Sequence, residues 1–264
     1  MKITVIQNKV FKNIDETLKN VLAMVNKSAI ENTDFLILPE MFTTPYELEY
    51  FELYKQTKSD KVIKFLTNLA VKYSVYVIGG SIPYFEDDKI YNTAFIFNRK
   101  GQIVSQYNKI HLFEITYPNG THFREADTLT KGSEIVTFDT EFGIMGVMIC
   151  FDIRFPLLAN KLMEKGAKVI FVPAAFNTYT GPLHWRTTFR ARSIDNQLFM
   201  VGCSPSNNSF GNYDVYGHSI IVNPYGEVLK ELSSKEKVFT LDLDLNQIET
   251  ARKRIPILKN QVKL

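Results

Sequence analysis

The chain is poor in the features that mark a redox, metal-binding or secreted protein. Only two cysteines, Cys150 and Cys203, occur in 264 residues. That is too few for a disulfide framework, and they form no CxxC pair. The four histidines, His111, His122, His184 and His218, make no HExxH pattern and join no cysteine at zinc spacing. No metal site and no cofactor are expected. No P-loop and no GxGxxG run is present to cradle a nucleotide phosphate. No apolar stretch approaches the ~20 residues of a membrane-spanning helix, and no signal-peptide core follows "MKITVIQNKV". These absences predict a soluble, cytoplasmic protein without membrane contact, its cysteines reduced. Formal net charge is only +3. Arg252, Lys253, Arg254, Lys259 and Lys263 make the C-terminus basic, but no aromatics interleave them, so no nucleic-acid partner is expected.

What is present is apolar residues, 45% of the chain, enough for a substantial core. They fall into short runs that alternate with amphipathic segments. "KITVIQ" (2–7), "DFLILPE" (34–40) and "VYVIGGS" (75–81) read as strands. Asn13 reads as an N-cap with Glu16 completing a capping box, and Ile14, Leu18, Val21, Leu22 and Val25 share one helical face. A second helix is expected near 59–73. "IYNTAFIFN" and "GQIVSQYNK" read as a hairpin around Arg99-Lys100-Gly101, and "EIVTFDT" with "FGIMGVMIC" repeats the arrangement at 134–150. Helices follow at about 156–165, opening on Pro156, and at 183–196. "KVIFVPAAF" stands between them as a strand. "FMVGCS", "YGHSIIVNP", "GEVLKEL" and "KVFTLDLD" continue as strands before a short final helix. No Pro/Gly/Ser-rich linker interrupts the chain. The pattern predicts an α/β fold over one domain, 1–264, with two mixed β-sheets face to face and helices outside, a four-layer αββα sandwich.

Three chemically active side chains share a position in this pattern. Glu40 ends "FLILP", Lys109 ends "IVSQYN" and Cys150 ends "GIMGVMI". Ligands of open α/β sheets bind beyond the strand carboxyl ends, so neighbouring strands would bring a carboxylate, an amine and a thiol together. The set is chemically coherent. A thiol attacks as thiolate and needs a base, for which Glu40 is available. A fixed cation such as Lys109 favours the thiolate and stabilises an oxyanion. Taken singly, Cys150 also reads as a small core residue and Lys109 as a solvated strand end. His184, beside Trp185 at the start of a helix, reads as a packing residue. Cys203 reads as a core cysteine, and "RARSIDNQ" as a helix carrying structural ion pairs.

"LPEMF", "YNKIHLF" and "GVMICFDIRFP" resemble the three signature segments of the nitrilase superfamily, the carbon–nitrogen hydrolases with a Glu-Lys-Cys triad. The likeness continues through "FREADTLTKGSE", "YGHSIIVNPYGEVL" and "ARKRIPIL" in the expected order. It implies Glu40 as general base, Lys109 as oxyanion stabiliser, Cys150 as the nucleophile of a thioester mechanism and the Phe151 N–H as second oxyanion donor. It also implies that Glu125 positions the lysine or the substrate, although spacing alone makes Glu125 a surface carboxylate beside Arg124. Members of this superfamily commonly pair through a helix-bearing face, which implies a homodimer or higher homo-oligomer.

"CFDIRFP" and "AFNTYTGPLHW" are most similar to the ω-amidase branch, whose substrates are monoamides of 2-oxo dicarboxylic acids such as 2-oxoglutaramate. The partner implied is therefore a small-molecule amide bearing a carboxylate. Arg154, four residues past Cys150, can hold that carboxylate bidentately, and Tyr46 and Thr180 match positions that add hydroxyls. Each has another reading: Arg154 as partner of Asp152, Tyr46 as a loop aromatic, Thr180 as a turn residue. Phe151 departs from the branch, which usually has tyrosine there, and Met41 stands at a variable position. A deaminated-glutathione amidase or an N-carbamoyl hydrolase would use the same triad, and a catalytically silent binding protein is the alternative of another class.

Overall fold

The computed structural model describes residues 1–28, 32–54, 56–260 and 262; Lys263 of the basic tail lies outside them. In chain order the elements are β1 (Lys2–Gln7), α1 (Ile14–Lys27), β2 (Phe35–Ile37), α2 (Leu48–Glu52), α3 (Gln56–Tyr73), β3 (Tyr76–Ile78), β4 (Ile82–Glu86), β5 (Lys89–Phe97), β6 (Ile103–Asn108), β7 (Glu114–Thr116) and β8 (His122–Arg124). Then come β9 (Thr137–Thr140), β10 (Gly143–Val147), α4 (Pro156–Glu164), β11 (Val169–Pro173), α5 (Gly181–Asn196), β12 (Phe199–Cys203), β13 (Ile220–Val222), β14 (Val228–Glu231), β15 (Lys237–Asp242) and α6 (Asn246–Arg254). Short 3-10 turns follow β8 at Glu125–Asp127 and β10 at Cys150–Arg154.

Two sheets form. The first runs β15-β1-β2-β3-β5-β4, with β6 also paired to β5, and the second runs β14-β13-β12-β11-β10-β9. Each has three parallel strands, β1-β2-β3 and β10-β11-β12, with antiparallel neighbours on both sides. The period-two alternation of strand side chains divides the first sheet between two environments. Ile3, Val5, Phe35, Ile37, Ala94 and Ile96 pack with strands of the second sheet. Leu36, Leu38, Val77, Phe95 and Phe97 pack with Leu18, Val21 and Val25 of α1 and Val62, Leu66 and Leu69 of α3. Phe35 and Phe171 stack across the sheets at 5.3 Å. Glycine lets α4 and α5 close on the outer face of the second sheet: a Cβ at Gly202 would lie 2.4 Å from Phe189 of α5, and one at Gly146 would crowd Leu162 of α4. The result is the expected four layers, helix, sheet, sheet, helix.

Local readings hold with some corrections. Asn13 caps α1 by accepting the Asp15 N–H at 2.8 Å, but among the described residues Glu16 returns no bond. Thr17 Oγ1 instead accepts the Phe11 N–H at 2.9 Å. The run 75–81 is not one strand. It breaks after Ile78, and Ile82–Glu86 forms a separate β4 on β5. Gly80, at φ +61°, makes the break, because a Cβ there would lie 2.1 Å from Pro39 O. The β7–β8 hairpin also went unread, although Asn119-Gly120 in its connection is a strong hairpin signal; the Gly120 N–H closes on Tyr117 O at 2.9 Å.

Candidate active site

Glu40, Lys109 and Cys150 do converge, but not from adjacent strands. Glu40 follows β2, Lys109 follows β6 in the same sheet, and Cys150 follows β10 in the facing sheet. β6 is antiparallel to β5, which is antiparallel to β3, so β6 runs in the direction of β2 and both end on one side. The thiol reaches the other two across the gap between sheets.

Cys150 does not end its strand. β10 stops at Val147, and Cys150 opens the 3-10 turn with φ +46°. A non-glycine residue in the left-handed region stores strain that tertiary contacts must offset. Here the turn is held by the Asp152 N–H on Ile149 O at 3.0 Å and by Arg192 of α5, whose Nε donates to Ile153 O at 2.9 Å. Arg192 thus serves the site as well as forming its ion pair with Asp195. Phe151 is the second residue of that turn.

Glu40, Lys109 and Glu125 are all fully buried. Lys109 Nζ lies 2.8 Å from Glu40 Oε1 and 2.9 Å from Glu125 Oε2. Glu125 is therefore no surface carboxylate. It also accepts the Tyr46 hydroxyl at 2.6 Å and the Phe113 N–H at 2.6 Å. Asn92 of β5, which sequence reasoning missed, donates to Glu40 Oε1 at 2.8 Å, and its carbonyl accepts the Lys109 N–H at 2.9 Å. Nothing in "YNTAF" marks Asn92 except a polar residue inside an apolar run. Glu40 Oε2 has no hydrogen-bond partner of standard geometry. The Cys150 thiol nevertheless lies close enough to the carboxyl that each shifts the other's proton affinity. That oxygen is the one available to the thiol proton.

Two carboxylates and one ammonium share a fully buried site, and the balance sets the protonation states. Burial raises the Glu40 carboxyl above its ordinary range; Lys109 pulls it down and Glu125 pushes it up again. Burial would lower Lys109, but Glu125 and Glu40 more than reverse this and hold it cationic. Burial and then Glu40 push the Cys150 thiol well up, outweighing Lys109 and the Ala175 N–H, which donates to Sγ at 3.4 Å. The nearby cation therefore does not produce a resting thiolate. The thiol is neutral at rest and poised beside a base.

The remaining predicted residues lie around this centre. Tyr46 is buried, its hydroxyl held mainly by Glu125 and its ring tilted against that of Tyr213 with centroids 4.6 Å apart. Tyr46 and Tyr213 also line a cleft of about 430 Å³ with Tyr117, Phe123, Asn177 and Tyr179, which does not include Cys150 itself. Arg154 lies with its guanidinium 4.7 Å from the Phe176 ring and 5.7 Å from the Phe151 ring. It makes no ion pair among the described residues. Asp152 faces the other way, toward Tyr107 and His111. Arg154 Nη1 donates to His184 Nδ1 at 2.8 Å, so the exposed His184 orients an arginine instead of packing in the core; Trp185 does the packing. Thr180 precedes α5, and its hydroxyl donates to Asn177 Oδ1 at 2.9 Å. The Thr180 carbonyl accepts the His184 N–H at 2.9 Å, which places Thr180 one helical turn from the Arg154 partner.

The carbon-nitrogen hydrolase family model matches residues 2–253. Omega-amidase NIT3 of Saccharomyces cerevisiae is 41% identical over 236 residues, 87% of this chain and 81% of that protein. Omega-amidase NIT2 of Danio rerio is 35% identical over 260 residues, 98% of this chain and 94% of that one. The crystal structure of Saccharomyces cerevisiae Nit3, a member of branch 10 of the nitrilase superfamily, matches with a TM-score of 0.89 at 36% identity, over 98% of this chain and 96% of that one. A thiol, a carboxylate and a lysine gathered at the ends of facing sheets, and relatives over nearly the whole length, lead to one conclusion: this chain belongs to the carbon-nitrogen hydrolase family.

Proposed function

We propose that the protein is an ω-amidase, releasing ammonia from the monoamide of a 2-oxo dicarboxylic acid such as 2-oxoglutaramate or 2-oxosuccinamate. The observation that carries this reading is Arg154, a half-buried guanidinium near Cys150 with no carboxylate partner among the described residues. The substrate carboxylate would supply that partner, aided by Thr180, while Tyr46 fixes the charged centre below. Cys150 Sγ attacks the amide carbon as Glu40 Oε2 takes the thiol proton. Lys109 Nζ and the Phe151 N–H hold the oxyanion, and Glu125 holds Lys109. Glu40 returns the proton to the nitrogen, the C–N bond breaks and ammonia leaves. Glu40 then takes a proton from water, whose oxygen attacks the thioester; the C–S bond breaks, Glu40 returns the proton to Sγ, and the 2-oxo acid leaves.

The test is turnover of 2-oxoglutaramate, glutamine, deaminated glutathione and an N-carbamoyl amino acid, with wild type and Cys150→Ala, read as ammonia except for deaminated glutathione, whose leaving group is cysteinylglycine. Fast release from 2-oxoglutaramate that vanishes in the variant is expected. Turnover confined to deaminated glutathione would overturn the substrate and keep the triad; the 430 Å³ cleft beside Tyr46 has room for that larger acyl group. Silence on all four with an intact fold would favour a binding protein.

Residues 1–264 are read as one hydrolase domain, supported by the core shared between both sheets. A homodimer through the α4–α5 face is supported by Leu157, Leu183 and Ile194, exposed apolar residues on those helices. Light scattering of wild type and Leu157→Glu tests it, a monomeric wild type overturning it. A cytoplasmic location is supported by two free cysteines. Among the described residues no helix is long and apolar enough to cross a membrane.

A further inference from the structure

Asp152 takes no part in the proposed chemistry, yet its carboxylate is fully buried and receives four hydrogen bonds. Oδ2 accepts the Tyr107 hydroxyl at 2.6 Å and the Ile149 N–H at 2.9 Å. Oδ1 accepts the His111 N–H at 3.0 Å and His111 Nδ1 at 2.7 Å. The donors are not scattered. Tyr107 and His111 stand two residues before and two after Lys109, and Ile149 directly precedes Cys150. Tyr107, the last residue but one of β6, lies on the face that Lys109 continues, since side chains alternate along a strand. One carboxylate therefore grips the chain on both sides of the lysine and the residue before the nucleophile.

We propose that Asp152 is a positioning residue that holds Lys109 in register with Cys150 across the two sheets. The backbone bonds of Lys109 run to Asn92 and Gly132, at 2.9 and 2.8 Å, and neither residue lies on the Cys150 turn. Through Tyr107 and His111, Asp152 makes direct hydrogen bonds from that turn to the lysine segment. The demand is catalytic as well as structural. Lys109 must stand where negative charge develops on an oxygen bound to the carbon that Sγ attacks, and such preorganised charge is effective only in the correct place. The same carboxylate, through the Ile149 N–H, braces the left-handed backbone of Cys150. His111 stacks on Phe155 at 3.6 Å, which locks the ring that presents Nδ1 to Asp152.

Asp152→Asn keeps the shape but turns one acceptor into a donor facing donors. Tyr107→Phe removes a single hydroxyl and carries the test should the first variant not fold. Both are compared with wild type in ammonia release from 2-oxoglutaramate, with the folded fraction of each measured by circular dichroism through urea unfolding. The expected result is a kcat per folded molecule lower by roughly 10- to 100-fold for Asp152→Asn and by less for Tyr107→Phe, with KM changed no more than about threefold, the mark of lost transition-state stabilisation. A purely structural role would lower the folded fraction and leave kcat per folded molecule unchanged, which overturns the proposal. A rise in KM at constant kcat per folded molecule overturns it too. The inference rests on Lys109 and Cys150 as the reacting pair. Wild-type turnover lost in Cys150→Ala but retained per folded molecule in Asp152→Asn defeats the positioning role alone, whereas turnover surviving in Cys150→Ala defeats the pair.

Discussion

Lys109 Nζ touches both carboxylate oxygens of Glu125, at 3.1 and 2.9 Å. Its contact with Glu40 is through Oε1 alone, at 2.8 Å. The asymmetry divides the labour of the two carboxylates. Glu125 is saturated by the ammonium, the Tyr46 hydroxyl and the Phe113 N–H, and it anchors the cation. Glu40 is half engaged: its Oε2 has no hydrogen-bond partner of standard geometry, which suits it to the proposed transfer of the Cys150 proton.

Glu125→Gln should move the acid limb of kcat/KM toward lower pH. Glu125 is one of the charges raising Glu40, after burial. Removing it lets Glu40 hold its charge further into acid. A pH profile of the variant on the best amide substrate checks this, and a shift of the limb toward alkaline pH would contradict it. The rate itself should fall, because Lys109 loses its anchor.

Glu40→Gln should gain stability over wild type as pH rises. The folded-state Glu40 carboxyl titrates above its ordinary value. Its protonation therefore supports folding below that ordinary value, and the support is lost as pH rises through the folded one. Glutamine does not titrate. Urea unfolding at about pH 4 and about pH 8 should show the difference moving in favour of the variant at the higher pH. A constant difference would mean that Glu40 is not perturbed.

Alkylation of Cys150 by iodoacetamide should keep accelerating between about pH 7 and about pH 9, since the reactive thiolate is not formed at rest. Burial and the neighbouring Glu40 raise this thiol. A rate that already levels off below about pH 7 would reveal a preformed ion pair with Lys109 and change the first step of the mechanism.

Arg154→Ala should raise KM for a carboxylate-bearing amide by roughly 10- to 150-fold, the equivalent of about 1.5–3 kcal/mol for a charge-assisted hydrogen bond. A neutral amide of the same length should bind the variant and wild type alike. Arg154→Lys should recover only part of the loss, because lysine cannot offer two parallel donors. Equal losses on both amides would assign Arg154 to packing against Phe151 and Phe176.

The sequence by itself determined the layers and pointed to the groups proposed to react. Alternating apolar runs such as "KITVIQ" and "FLILP" carry the sheets, because period two decides which face each side chain meets. Glu40, Lys109 and Cys150 were legible because each interrupts such a run with a titratable group. Only the tertiary structure decided how they meet. Cys150 stands past the end of β10 in a left-handed turn, a conformation no local propensity for cysteine predicts, held by bonds from Asp152 and Arg192. Glu125 looks exposed beside Arg124, and Asn92 looks like strand filler, because burial and hydrogen-bond partners depend on residues tens of positions away. The resting state of the thiol is likewise tertiary: a nearby lysine argues for thiolate in sequence, and desolvation with the Glu40 charge reverses it in the fold.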